Sequence, residues 1–122
     1  MGGDAAIKEW IAKQLEGRSC TIVLVGSNTA GRKWISYEIS ESWNAHKGVV
    51  GIHIHNLKDV FGRQTVKGAN PLAQVWFQSG KPLASVARVY DPPYTESTAV
   101  YDHLKNNLAA WVEEAVTIRN NN

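Results

Sequence analysis

The chain has 122 residues, of which 43% are hydrophobic and 20% are charged, and its formal net charge is +2. These values are typical of one globular domain with a single core, and the low charge without a basic cluster argues against nucleic-acid binding. No apolar run is long enough to cross a membrane, and the N-terminus shows no signal-peptide pattern. The single cysteine, Cys20, cannot form an internal disulfide, so we expect a reducing, cytoplasmic location.

The first half of the chain predicts a helix, a strand and a second helix. Asp4 is placed to cap a helix that runs to about Glu16. The apolar run Cys20–Val25 predicts a buried strand, and residues 30 to about 46 predict the second helix. One face of the second helix is formed by Ile35, Ile39, Ser42, Trp43 and His46.

The second half predicts two more strands and a long final helix. The strands are expected at Val49–His55 and Ser85–Tyr90, separated by an irregular segment with a short helix at about Leu72–Phe77. Ser97 or Thr95 is expected to cap the last helix, with residues 120–122 frayed. Its inward-facing residues are Val100, Tyr101, Leu104, Leu108, Trp111, Val112 and Ala115.

Strands that alternate with helices predict an α/β fold with a parallel sheet and right-handed crossovers. Such sheets bind ligands beyond the carboxyl ends of their strands. Three segments are therefore expected to meet at one edge of the sheet: Gly26–Thr29, His55–Asn56 and Tyr90–Pro92.

The most informative segment is the predicted strand–turn–helix at residues 25–39. A polar turn follows Gly26, and Glu38 lies one helical turn after Trp34, at the edge of the apolar face. A carboxylate beside buried apolar groups is costly unless it is paired or functional. Glu38 is therefore a candidate catalytic residue, and the alternative is a glutamate paired with Arg32 or Lys33 or simply solvated.

The Trp-x-x-x-Glu spacing after a strand that ends in Gly-Ser-x-Thr resembles the TIR superfamily. The closer likeness is to the TIR-like family that includes the signalling subunit of bacterial Thoeris anti-phage systems. The order and spacing of several short segments extend the resemblance over nearly the whole chain. The resemblance implies one TIR-like domain at residues 1–122, with the fold of a flavodoxin-like three-layer sandwich. The supporting segments are residues 3–8, 25–39, 51–59, 67–71 and 89–91.

The resemblance implies that Glu38 cleaves the nicotinamide–ribose bond of NAD. NAD is then a substrate, and no separate cofactor is expected. Intact relatives are expected to act as NAD glycohydrolases or ADP-ribose cyclases, and the nucleotide product to signal to a separate effector protein. The alternatives are a non-catalytic self-association module and a flavodoxin-like nucleotide binder.

The comparison with this family predicts that the chain is N-terminally truncated. The family has a strand and a long loop before the segment that matches Gly2-Gly3-Asp4, and both are missing from the sequence. We therefore expect weak or no turnover from the chain as it stands. We also expect an open edge on Cys20–Val25 that favours a homo-oligomer.

The turn residues Ser27, Asn28 and Thr29 are candidate substrate-binding groups. Free N–H groups at a helix N-terminus favour anions such as pyrophosphate, whereas N-capping is the plain alternative and the one favoured for Thr29. Trp34 is expected either in the core or in the pocket wall beside Glu38.

Two further candidates lie at strand ends. His55 is expected to line the pocket, and Asp91 is either a pocket group or a turn former before two prolines. His53 and His55 share one face of their strand, but without a third ligand of matching spacing no metal site is expected. His53 is expected to be a hydrogen-bonded core or half-buried side chain. Residues 67–71 lack the spacing of a Walker phosphate loop.

Overall fold

The computed structural model describes residues 13, 17, 19–58 and 61–122. Apart from Lys13, the helix predicted between Asp4 and Glu16 lies outside these residues. The elements in chain order are β1 (Cys20–Val25), α1 (Lys33–Asn44), β2 (Gly48–His53), two 3₁₀ helices (Pro71–Gln74 and Leu83–Ser85), β3 (Val89–Tyr90) and α2 (Ser97–Asn120).

The three strands form a parallel sheet in the order β1-β2-β3. Val25 lies opposite His53, and Ile52 lies opposite Tyr90. The expected parallel α/β architecture is therefore confirmed.

Both faces of the sheet are covered, because alternate residues of β1 and β2 point to opposite sides. Cys20, Val50 and Ile52 pack with α2 in one core cluster. Val23, Val25 and Val49 pack in a second cluster with α1 and the two 3₁₀ helices. Helical layers on both faces of the sheet make the expected three-layer sandwich.

The direction of α1 follows from one hydrogen bond. Thr21, near the start of β1, donates through Oγ1 to Oγ of Ser42 at 2.9 Å, near the end of α1. The helix therefore runs back along the sheet, so that Trp34 and Glu38 lie towards the carboxyl ends of the strands. The end of α1 lies at the opposite, amino end.

The predicted second helix is shorter than expected at both ends. Gly31 has a φ of +87°, and Arg32 is extended with φ −84° and ψ 123°, so the helix begins only at Lys33. His46 has a φ of +64°, lies after the helix and is exposed, so its assignment to the buried face is wrong. Ile39 and Trp43 are buried as predicted.

The strands after α1 also end differently. β2 stops at His53, two residues earlier than expected. β3 has only two residues, because Leu83–Ser85 forms a 3₁₀ turn instead of extended chain. The expected short helix is the 3₁₀ turn Pro71–Gln74, which begins where Asn70 Oδ1 accepts a hydrogen bond from the N–H of Leu72 at 2.9 Å.

The long helix α2 is present, with its six apolar positions buried and Tyr101 half-buried. Capping by Ser97 or Thr95 is wrong: Glu96 is the N-cap without a side-chain bond, and Ser97 Oγ instead accepts from the N–H of Lys58 at 2.9 Å. The helix includes Asn120, which was expected to fray. Among the residues described, no helix has both the length and the apolar character needed to span a membrane.

Candidate functional site at the carboxyl edge of the sheet

The candidate site lies where the parallel strands end together. The N–H of Ile54 donates to the carbonyl oxygen of Val25 at 3.0 Å, so the chain leaves β1 and β2 side by side. Asp91 follows β3 directly. The residues after the three strands are thus neighbours at one edge, as the sequence predicts.

The turn after β1 is held by Thr29. Its Oγ1 accepts a hydrogen bond from the N–H of Gly26 at 2.8 Å and donates to the carbonyl of Leu24 at 3.5 Å. Because α1 begins four residues later, Thr29 caps the turn and not the helix, which corrects the capping assignment. Asn28 is exposed, and its carbonyl accepts from Arg32 Nε at 3.0 Å, which ties the turn to the start of α1.

The segment at Lys67–Gly68 packs directly on this turn. A Cβ atom on Gly68 would stand 2.1 Å from the carbonyl oxygen of Gly26 and 3.0 Å from Cα of Ser27. Only a residue without a side chain allows backbone to approach backbone so closely. Gly68 therefore brings Lys67 to the carboxyl edge and places half-buried Ser27 beneath the segment.

Lys67 and Asp91 form an ion pair across this edge. Lys67 Nζ lies 2.8 Å from Oδ2 of Asp91, and both side chains remain partly exposed. Burial tends to raise the pKa of Asp91, but the hydrogen bond and positive charge of Lys67, with smaller contributions from His53 and His55, lower it overall. Asp91 is therefore an ionised carboxylate that faces both histidines.

The two histidines form the floor of the site. His53 is only 6% exposed, and its ring meets that of His55 edge-on, with centroids 5.9 Å apart. The Nδ1 atoms of both rings are buried and have no hydrogen-bond partner within the described part of the chain. Burial lowers the pKa of His53, and Lys67 and His55 lower it further against the opposing effect of Asp91.

These surroundings select one form of His53. A proton on a buried Nδ1 without an acceptor would cost more than a buried lone pair, so the neutral ring with its proton on Nε2 is favoured. The prediction that His53 is buried is confirmed, but among the described residues its Nδ1 lacks the hydrogen-bond partner expected of a satisfied core histidine.

Trp34 and Glu38 occupy the outer surface of the first half of α1. Trp34 is 54% exposed, so its assignment to the core is wrong, and Glu38 is also exposed. Neither side chain makes a hydrogen bond or ring contact with another described residue. They share a face of the sheet with His53 and Asp91, but no described contact joins the two groups.

The structure thus brings together part of the predicted set. His55 and Asp91 are neighbours, and Ser27 lies beside them under Gly68. Lys67 and His53 also lie at this edge, although neither was predicted as a site residue; the His-x-His pattern and the segment at residues 67–71 are the sequence features that point to them. Within the described residues, no group of three or more His, Cys, Asp or Glu side chains is arranged to hold a metal ion.

Comparison with known proteins adds a family. The family described as "Thoeris protein ThsB, TIR-like domain" matches residues 1–59, which include Trp34, Glu38 and both histidines. A Bacillus cereus (strain MSX-D12) protein named "Putative cyclic ADP-D-ribose synthase ThsB1" is 40% identical over 75 residues, which are 62% of this chain and 39% of that protein. The chain thus spans well under half of the curated relative's length. Both matches confirm the resemblance found in the sequence: the first half of the chain is similar to the Thoeris TIR-like family.

Proposed function

We propose that this chain is an NAD-processing module of bacterial anti-phage defence. It cleaves the bond between nicotinamide and ribose and releases a linear or cyclised ADP-ribose that acts on a separate effector. The proposal is supported by the family match and by the name of the Bacillus cereus relative, which describes a cyclic ADP-D-ribose synthase.

The observation that carries the proposal is the pair Trp34 and Glu38. They lie one helical turn apart on the exposed side of α1, near the carboxyl edge and within the matched segment. An exposed tryptophan beside an exposed carboxylate contributes nothing to the core. It does offer a flat apolar surface for a ring and a charge for the reacting sugar.

The chemistry assigns each group a role. Departure of nicotinamide builds positive charge on the ribose, and the carboxylate of Glu38 stabilises that charge. The ring of Trp34 packs against the nicotinamide or the ribose. Ser27, the exposed Asn28 and Lys67 are the groups available to the pyrophosphate, and the two histidines and Asp91 bind hydroxyl groups.

The turnover of this chain is proposed to be slow. Glu38 is exposed, and no described contact holds it against the cluster of His55, Lys67 and Asp91. A reacting centre that is not pre-organised and not shielded from water forfeits much of the rate that positioning supplies.

The test measures the release of nicotinamide from NAD. The protein is incubated at high concentration with NAD for hours, and nicotinamide is quantified by chromatography. Glu38→Gln removes the charge with little change in shape, and Glu41→Gln is the matched control one turn further along α1. We expect release to fall in Glu38→Gln and to persist in Glu41→Gln. Saturable NAD binding without product in any variant would instead identify a nucleotide binder without catalysis.

A second function, self-association, is favoured by the edge position of β1. Among the described residues β1 pairs only with β2. The carbonyls of Ser19 and Val25 accept from Gly48 and Ile54, so Ile22, which has the opposite parity, turns its backbone groups away from the sheet. A second copy of the chain could pair along this edge.

Light scattering at micromolar concentration tests this second function. Ile22→Pro removes the outward N–H of an edge strand, and Ile22→Val keeps it. Assembly that is lost only in Ile22→Pro, with circular dichroism unchanged, supports pairing along β1. A monomer at every concentration would exclude it.

A further inference from the structure

A cavity of about 440 Å³ opens at the end of the molecule opposite the candidate site. It lies at the amino end of the sheet, where α1 ends and where the last turns of α2 pass. Its lining residues include Trp43, Trp76, Phe77 and Arg119. The set includes none of the residues assigned to the NAD site, so its ligand would bind independently.

Aromatic rings form its walls. Trp43 and Phe77 meet at a centroid distance of 5.6 Å and an angle of 48°. Trp76 is 62% exposed although it lines the cavity, and its backbone is fixed by a β-bridge to Pro82. A large ring held at the mouth of a cavity without being buried is a surface on which another flat ring can stack.

Arg119 supplies the charge. Its guanidinium lies 4.5 Å from the centroid of the Trp43 ring, and its Nε donates to the carbonyl of Trp43 at 2.9 Å. Its Nη1 donates to the backbone oxygen of Asn122 at 3.1 Å. Among the described residues, Arg119 forms no ion pair with a carboxylate, and no acidic side chain lines the cavity. The guanidinium is thus held in a fixed position with donors to spare.

From these observations we infer that the cavity binds a small, flat aromatic anion. Its ring lies against Trp76 and Phe77, and its carboxylate or phosphate meets the guanidinium of Arg119. Arginine presents paired donors in a planar fork that matches such groups. The amides of Asn44 and Gln78 and the hydroxyl of Ser40 are the remaining polar side-chain groups that line the cavity, and they can bind further polar atoms of the ligand.

The test uses naphthoate as the anionic probe and naphthamide as its neutral counterpart. Calorimetry on the whole chain is expected to show one saturable naphthoate site and binding of naphthamide weaker by about tenfold, because a hydrogen bond to a charged group is lost. The indole N–H resonances of Trp43 and Trp76 are expected to shift with naphthoate. Equal affinities for the two probes would overturn the inference.

Three variants locate the site. Arg119→Gln is expected to abolish the preference for naphthoate over naphthamide, and Arg88→Gln, at an exposed arginine elsewhere, to leave it intact. Because Arg119 also holds the end of α1, Trp76→Ala provides an independent check at an exposed side chain, and it should weaken both probes. Naphthoate affinity unchanged in both Arg119→Gln and Trp76→Ala, or binding only to a dimer of the chain, would contradict the proposal.

Discussion

Gly68 rests on Gly26 with so little space that a Cβ on Gly68 would stand 2.1 Å from the carbonyl oxygen of Gly26. This contact joins two segments more than forty residues apart in the chain and fixes the position of the neighbouring Lys67. The ion pair between Lys67 and Asp91 therefore depends on a residue that has no side chain.

Replacing Gly68 by alanine should disrupt that arrangement. The methyl group cannot fit against backbone atoms, so the segment has to move, at a cost of about 1–3 kcal/mol in the free energy of unfolding. Because Lys67 moves away from Asp91, the pKa of Asp91 should rise from its lowered value. NMR titration of the Asp91 carboxylate measures this change. Gly26→Ala is the control, because its Cβ would meet Thr29 Oγ1 at an ordinary 3.5 Å.

Gly48→Ala should destabilise the fold by about 1–3 kcal/mol without affecting the site. A Cβ on Gly48 would stand 2.6 Å from the backbone carbonyl of Ala115, so α2 would have to shift away from the sheet. Thermal unfolding measures the loss, and the NMR pKa of Asp91 should stay unchanged. A Gly48→Ala protein as stable as the parent would show that α2 is not held so close to β2.

Acid should destabilise the protein through His53. Burial lowers its pKa in the folded state, so below the ordinary histidine pKa of about 6.5 the unfolded chain binds more protons than the folded one. The stability associated with neutral His53 is thus complete above about pH 6.5 and is lost as the pH falls through the lower folded pKa. Unfolding temperatures of the parent and His53→Gln, measured from neutral pH downwards, should converge in this window, and parallel curves would contradict the assignment.

Tyr90 should ionise at a higher pH than an ordinary tyrosine. Its hydroxyl donates to Oε1 of Glu114, and its ring stacks on Trp111 at a centroid distance of 4.3 Å. Burial, followed by the hydrogen bond and charge of Glu114, raises the pKa of Tyr90 to about 12. The stability gained from the protonated phenol is present below about pH 10, the ordinary tyrosine pKa, and is lost as the pH rises through 12.

Tyr90→Phe checks this assignment, because it keeps the stacked ring and removes only the hydrogen bond. The expected cost is about 1 kcal/mol at neutral pH, at the low end because Glu114 is partly solvated. Tyr94→Phe, at an exposed tyrosine, is the control. Ultraviolet titration of Tyr90→Phe should lack the most alkaline phenolate step, and its persistence would assign that step to another tyrosine.

The parts of the fold that the sequence predicts are those set by local pattern. β1 begins and ends at the expected residues because an apolar run is bounded by polar residues and Gly26. β3 is shorter than predicted, because Ser85 belongs to the 3₁₀ turn Leu83–Ser85 and only Val89–Tyr90 of the expected strand pairs with β2. The start of α1 was missed because the positive φ of Gly31 cannot be read from residue type alone.

The same distinction holds for the site. His55 and Asp91 could be placed at one edge because parallel strands end together, whatever the details of packing. Lys67 belongs to a long irregular segment whose position depends on the contact between Gly68 and Gly26. The position of Lys67 beside Asp91 results from tertiary packing, and no periodic pattern in the sequence predicts it.

The central claim is that Glu38 acts on NAD, and the most direct measurement is the rate of nicotinamide release by the parent, Glu38→Gln and Glu41→Gln under identical conditions. A carboxylate that stabilises developing positive charge is worth several kcal/mol in the transition state, so the account predicts a rate at least about a hundredfold lower in Glu38→Gln, with Glu41→Gln close to the parent. Release at the same measurable rate by the parent and Glu38→Gln would contradict it.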